Sequence, residues 1–240
     1  MSQPAVTGAG ALLTVAQRLA RVRERLERAC RQANRRPEDV TLVAVSKRQP
    51  LGSIRQAADC GQTVFGENQL QEAESKISEL PDLEWHMIGP LQSNKVKRAA
   101  GLFSAVHSLD RPKVARLLDR EAVALGRSIE VFVQINVGLE ESKHGFLPDR
   151  LDQDVRPLAE LEGLKLVGLM AIPPFARDPE DARPALGAMR RLRDRVARWP
   201  EWKDFRGDLS MGMSHDLEVA ISEGATHVRV GTDVFGPRPS

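Results

Sequence analysis

Apolar side chains recur every three or four residues near the start of the chain, at Leu12, Val15, Ala16, Leu19, Val22, Leu26, Ala29 and Cys30. Arg18, Arg21, Arg25 and Arg28 fall on other faces, so the spacing predicts an amphipathic helix over residues 12–33, ended before Pro37. Beyond it, short β-rich runs alternate with helical stretches. The runs are Val40–Ser46, Thr63–Gly66, Glu84–Gly89, Ala105–Leu109, Glu130–Val137, Leu164–Ile172, Asp208–Met213 and His227–Gly231. Between them, Leu186, Met189, Leu192, Val196 and Trp199 keep helical spacing, with Arg190, Arg191, Arg193, Arg195 and Arg198 predicted on a solvated face.

Near-continuous apolar strands alternating with helices predict a parallel sheet covered by helices, and eight such units are the number that closes a (β/α)8 TIM barrel. An open doubly wound sheet would carry a glycine-rich turn after its first strand. Here that position reads Ser46-Lys47-Arg48-Gln49-Pro50. The expected fold is therefore α/β, a single (β/α)8 barrel over residues 11–240 with an extra N-terminal helix, preceded by a disordered tail over residues 1–10.

Composition narrows the function. The 35 basic and 33 acidic side chains leave a net charge of +2 and no dominant basic block, which argues against nucleic acid. No uncharged apolar run reaches the ~20 residues of a membrane helix, and the first ten residues lack a basic signal-peptide start. A cytoplasmic protein is expected. Cys30 and Cys60 have no metal or redox spacing, and the chain contains no tyrosine, which removes every mechanism that uses a phenol.

In a barrel of this kind, chemistry sits at the carboxyl ends of the strands. Lys47 ends the first run, where an amine at the mouth of an apolar pocket can act as a Schiff-base nucleophile or stand as a solvated rim charge. Ser210–Ser214 and Gly231-Thr232 end the seventh and eighth runs, the usual place for a phosphate cup. Ser214 is expected as the N-cap of the helix that ends near Gly224, its amides turned to an anion. A phosphate-bearing carbonyl compound on Lys47 joins the two features, and both pyridoxal 5'-phosphate and a sugar phosphate on a class I aldolase satisfy this. Arg229 interrupts an apolar strand; it either pairs with a carboxylate such as Asp216 or Asp233, or faces a pyridine nitrogen and keeps it unprotonated. His86, His107, His144, His215 and His227 are scattered along the sequence without metal-ligand spacing, and His86 reads as a core residue. Glu140–Gly145 reads as a lid or an exposed turn.

The segments Leu42–Lys47, Phe65–Asn68, Trp85–Lys95, Ser142–Phe146, Gly168–Pro173, Leu209–Ser214 and Val228–Gly236 resemble, in order, the motifs of the pyridoxal phosphate homeostasis protein family (YggS/PROSC type). The resemblance implies a fold-type III barrel, similar to the N-terminal domain of alanine racemase, that carries the cofactor as an internal aldimine. It makes Lys47 the Schiff-base lysine, Ser214, Gly231 and Thr232 the phosphate ligands and Arg229 the partner of the pyridine nitrogen. Asn68, Met87 and Ser210 match lining positions. Gln69 stands where the family usually has an aromatic, which puts a stacking contact there in doubt.

Three functions follow for comparison. The first is a non-catalytic carrier, expected as a monomer, that holds pyridoxal 5'-phosphate for intracellular vitamin B6 homeostasis, with pyridoxal-phosphate-dependent apoenzymes as recipients. The second is an amino-acid racemase, which needs a second acid/base group opposite Lys47; alanine racemase supplies a tyrosine from a separate domain, and this chain has neither. The third is a class I aldolase. The carrier is the expectation.

Overall fold

The computed structural model describes residues 13–140, 144–174 and 176–237. The expected tail at 1–10 lies outside them. Thr14 opens the first helix, α1 (Val15–Gln32), with a capping box in which its hydroxyl accepts from Gln17 N–H and the Gln17 side chain accepts from Thr14 N–H. Leu19, Val22, Leu26 and Cys30 are buried along one stripe of α1, as their spacing requires.

Eight parallel strands then form a closed barrel in sequence order. They are β1 (Thr41–Val45), β2 (Val64–Glu67), β3 (Glu84–Met87), β4 (Ala105–Leu109), β5 (Ile129–Gln134), β6 (Leu164–Met170), β7 (Asp208–Ser210) and β8 (His227–Val230). The covering helices are α2 (Leu51–Asp59), α3 (Leu70–Glu79), α4 (Val96–Leu102), α5 (Pro112–Ala124), α6 (Leu151–Asp154), α7 (Arg183–Val196), α8 (Leu217–Ser222) and α9 (Thr232–Phe235). Several runs outlast their strands, because their last residues leave the ladder to build the rim of the barrel.

The helix expected between β5 and β6 is only one turn long. Pro157 follows three residues after Asp154, and a ring nitrogen without N–H cannot continue an α-helix there, so the chain crosses in a 3-10 turn over Arg156–Glu160. The arginine-rich α7 buries Leu186, Met189 and Val196 and uses its charges locally, with Arg190 on Glu223 and Arg193 on Asp194. That is the solvated face expected of it. No helix among the described residues is long and apolar enough to cross a membrane.

Strand residues alternate between two layers. Leu42, Ala44, Phe65, Trp85, Met87, Val106, Val131 and Val133 belong to the large core between sheet and helices, whereas Phe132, Val167 and Met170 form a separate cluster inside the barrel. Gly66 faces inward. A Cβ there would lie 2.9 Å from both Val43 Cγ1 and Ile88 Cδ1, so the narrow interior leaves no room for a side chain.

Candidate functional site

A cavity of about 290 Å3 opens at the carboxyl ends of the strands, at the small end of the range of ligand pockets. Lys47, Asn68, Ser214, Arg229, Gly231 and Thr232 all line it, so the fold gathers these residues from the ends of β1, β2, β7 and β8. Val45, Ile88, Ile172 and Met213 supply its apolar wall. Gly89 fixes Asn68: the backbone of Asn68 runs where a Gly89 Cβ would stand, which holds the second strand end against the third.

Two of the expected residues lie elsewhere. Met87 is buried on the helix-facing side of β3 and borders a neighbouring cavity with Leu70 and Leu91, because alternation sends His86 and Ile88 inward and Met87 outward. Ser210 is fully buried beneath the cavity, where its Oγ accepts a 2.7 Å hydrogen bond from Arg229 Nη1. Gln69 is exposed and borders the neighbouring cavity.

Ser214 is not an N-cap. Asp216 holds that position for α8, and its Oδ1 accepts from Met213 N–H at 2.6 Å, which closes the turn that presents Ser214 to the cavity. The Ser214 carbonyl accepts from Arg25, whose guanidinium also binds Glu218 at 2.8 Å and Asp233 at 2.5 Å. One arginine of α1 thus braces both halves of the hydroxyl and glycine turn. Across from it, the first amides of α9 at Thr232 and Asp233 have no acceptor within their own helix.

Lys47 is held through its neighbours. Ser46 Oγ donates to Glu67 Oε1 at 2.7 Å, and buried Lys76 Nζ donates to Ser46 O, Glu67 Oε1 and Glu72 Oε1, each at 2.7 Å. Arg48 follows in the left-handed region, with φ 59° and its N–H on Glu72. Backbone on both sides of Lys47 is therefore pinned. Burial pushes the Glu67 carboxyl up, partly offset by hydrogen bonds from Lys76 and Ser46.

Arg229 is buried, and burial pushes its pKa down to about 10, so it remains a cation at neutral pH. Its hydrogen bonds go to Ser210 Oγ and, at 2.9 Å, to Ala171 O. Neither carboxylate considered from the sequence takes part: Asp233 binds Arg25, and Asp216 acts on Arg229 only through its field.

Three of the histidines spread along the sequence, His86, His107 and His227, meet in space. His86 Nδ1 lies 2.9 Å from His107 Nε2, and the His107 and His227 rings pack edge to face, 5.7 Å between centroids. Burial drives His107 well below the usual imidazole range and His227 down to about 3. Both stay neutral in the folded chain but take up a proton when unfolded below about pH 6.5. The stability this supplies is full above about pH 6.5 and is lost as pH falls towards 3. For His227 alone, going from about pH 7.5 to about pH 4.5 removes about 2–3 kcal/mol. Glu84, held down by its hydrogen bond to His86, acts in the same sense at lower pH, while Glu67 and Asp110, pushed up by burial, oppose it. Urea midpoints measured across this range are expected to fall in acid, with a shallower fall in His227→Met; identical acid limbs would contradict the assignment.

The segment expected as a lid or turn, Glu140–Gly145, lies partly outside the described residues. At its end His144 Nδ1 stands 3.4 Å from Asp110 Oδ2. Of the residues that build the site, Arg25, Glu67 and Lys76 were not singled out from the sequence for these roles. Lys76 had a visible signal, since it occupies the apolar stripe of α3 with Leu70 and Ala73.

A closed parallel barrel with a leading helix and a lysine-bearing cavity defines the class of the alanine racemase N-terminal domain, and the family model of that description matches residues 18–239. An alanine racemase from Clostridium difficile shares this fold at 16% identity and a TM-score of 0.70, over 93% of this chain and 56% of the racemase. Within that class, the chain belongs to the pyridoxal phosphate homeostasis protein family. It is 44% identical over 228 residues to the pyridoxal phosphate homeostasis protein of Aquifex aeolicus, covering 94% of this chain and 99% of the relative. The structure of PipY from Synechococcus elongatus PCC7942 with PLP bound is 37% identical, with a TM-score of 0.80 over 93% of this chain and 100% of PipY.

Proposed function

We propose that this chain binds pyridoxal 5'-phosphate in the cavity, covalently through Lys47, and serves intracellular vitamin B6 homeostasis as a non-catalytic carrier. The observation that carries the reading is Arg229, a buried cation at the cavity floor that hydrogen-bonds no carboxylate among the described residues, set with Lys47 and the hydroxyl and glycine turn around one small space. The residues fit the group: an amine for its aldehyde, a donor for its ring nitrogen, and hydroxyls with helix-start amides for its phosphate. The PLP-bound structure of PipY supports the same choice over a sugar phosphate.

When bound, the cofactor supplies an aldehyde that condenses with an amine with loss of water, and a ring that can accept electrons. Lys47 provides the amine, with its backbone held by the Glu67–Lys76 clamp. Ser214 and the start of α9 receive the phosphate, and Arg25 keeps those two segments together. Arg229 can only donate hydrogen bonds, so it holds the ring nitrogen unprotonated and restrains the ring as an electron sink.

The carrier reading over a racemase rests on the missing phenol: no tyrosine exists in the 240 residues to serve the face opposite Lys47. Residues 11–240 act as one unit, a monomer in the cytoplasm, and pyridoxal-phosphate-dependent apoenzymes are the recipients. Titration with pyridoxal 5'-phosphate is expected to give a stoichiometric visible absorption band, and the loaded protein is expected to turn over neither D- nor L-amino acids. No band would remove the cofactor from the cavity, and steady turnover of any amino acid would overturn the carrier.

A further inference from the structure

Polar side chains that touch no part of the cavity run along the barrel axis. Glu84 stands at the amino-terminal mouth with its side chain half exposed, and its Oε1 lies 2.9 Å from His86 Nε2. His86 Nδ1 is 2.9 Å from His107 Nε2, His107 Nδ1 is 2.7 Å from Ser210 Oγ, and Ser210 Oγ is 2.7 Å from Arg229 Nη1. The path therefore joins the open lower mouth to the guanidinium under the cavity.

The two ends have no choice of role: a carboxylate only accepts and a guanidinium only donates. A neutral imidazole has one donor and one acceptor nitrogen. Starting from Glu84, His86 must carry its hydrogen on Nε2, so its Nδ1 accepts from His107 Nε2–H. His107 Nδ1 then accepts from the Ser210 hydroxyl, which leaves a Ser210 lone pair for Arg229. A single placement of hydrogens satisfies all four bonds. The opposite polarity would aim a lone pair of His86 at the Glu84 carboxylate, unless a further proton were added to one of them.

We infer that this directional chain is the positioning device for Arg229, with Ser210 and His107 setting the guanidinium beneath the ligand without touching the ligand. Ser210 is the side-chain acceptor in its hydrogen bonds, Ala171 O being the other partner, and both Ser210 and His107 are fully buried, where water cannot replace a lost bond. Phe132 closes one flank of His107 at 4.2 Å between ring centroids, and His227 closes another, its own Nδ1 engaged by Thr226 Oγ1.

The chain is tested first in the cofactor-free wild-type protein by long-range 1H–15N spectra of its histidines at about pH 8, above the usual imidazole range. His86 and His107 are expected neutral with the hydrogen on Nε2. A hydrogen on His107 Nδ1, or an imidazolium at His86, would overturn the inference. The second readout rests on the cavity holding pyridoxal 5'-phosphate: Ser210→Ala and His107→Phe are expected to weaken its binding about tenfold or more and to shift its absorption maximum while attachment at Lys47 persists. Wild-type affinity and spectrum in both variants would also overturn it. If the wild-type protein binds no pyridoxal 5'-phosphate, the cofactor reading falls and the tautomers alone decide the positioning role.

Discussion

Lys47→Ala is expected to abolish the visible band of the bound cofactor and to weaken pyridoxal 5'-phosphate binding by at least about 100-fold, roughly 2.8 kcal/mol. The substitution removes the amine that ends β1 and borders the cavity, while Ser46 and Arg48 keep their own hydrogen bonds to Glu67 and Glu72. Folding should therefore be preserved, and the thermal midpoint of the cofactor-free variant is expected to match that of the wild type. Residual weak binding is expected to be phosphate-dependent, because Ser214, Gly231 and Thr232 remain. Titrations with pyridoxal and with pyridoxal 5'-phosphate separate the two contributions; equal affinity of variant and wild type for the phosphate ester would remove Lys47 from the site.

Lys76→Met is expected to destabilise the fold by about 3–5 kcal/mol, the cost of leaving a buried partner uncompensated. Lys76 and Glu67 are 2.7 Å apart with side chains 6% and 0% exposed, and Glu67 Oε2 already has no hydrogen-bond partner among the described residues. Methionine fills the volume of the lysine stem but returns no donor to Glu67 or to Ser46 O. The double variant Lys76→Met with Glu67→Gln is expected to recover much of the loss, since the uncompensated charge is gone. Urea unfolding of the two variants checks this, and a Lys76→Met midpoint unchanged from wild type would show that the pair carries no stability. Because this clamp holds Ser46, the single variant is also expected to weaken cofactor attachment at Lys47.

The barrel was readable in the sequence because its β-rich runs are separated by stretches with helical period, and the rim because strand ends are where polar residues and glycines interrupt those runs. Lys47, Asn68, Ser214, Arg229, Gly231 and Thr232 meet in one cavity for that reason. Met87 did not, although the alternation of β3 already sets it on the opposite face from His86 and Ile88. The partners of Arg229 were out of reach, since Ser210 and Ala171 approach it from other strands through the closure of the barrel, a relation that no local spacing encodes. The same holds for Arg25, which looks like one more arginine on the polar face of α1 until α1 is packed against α8 and α9. His86, His107 and His227 came together for a related reason: β3, β4 and β8 each turn one inward, and the narrow interior brings the rings together.

Reduction of the loaded protein with sodium borohydride, followed by peptide mass mapping, shows directly whether Lys47 holds pyridoxal 5'-phosphate. A single reduced pyridoxyl-phosphate adduct is expected, on the peptide that contains Lys47. A protein without an adduct, or one whose adduct lies on another lysine such as Lys95 of the neighbouring cavity, would contradict it.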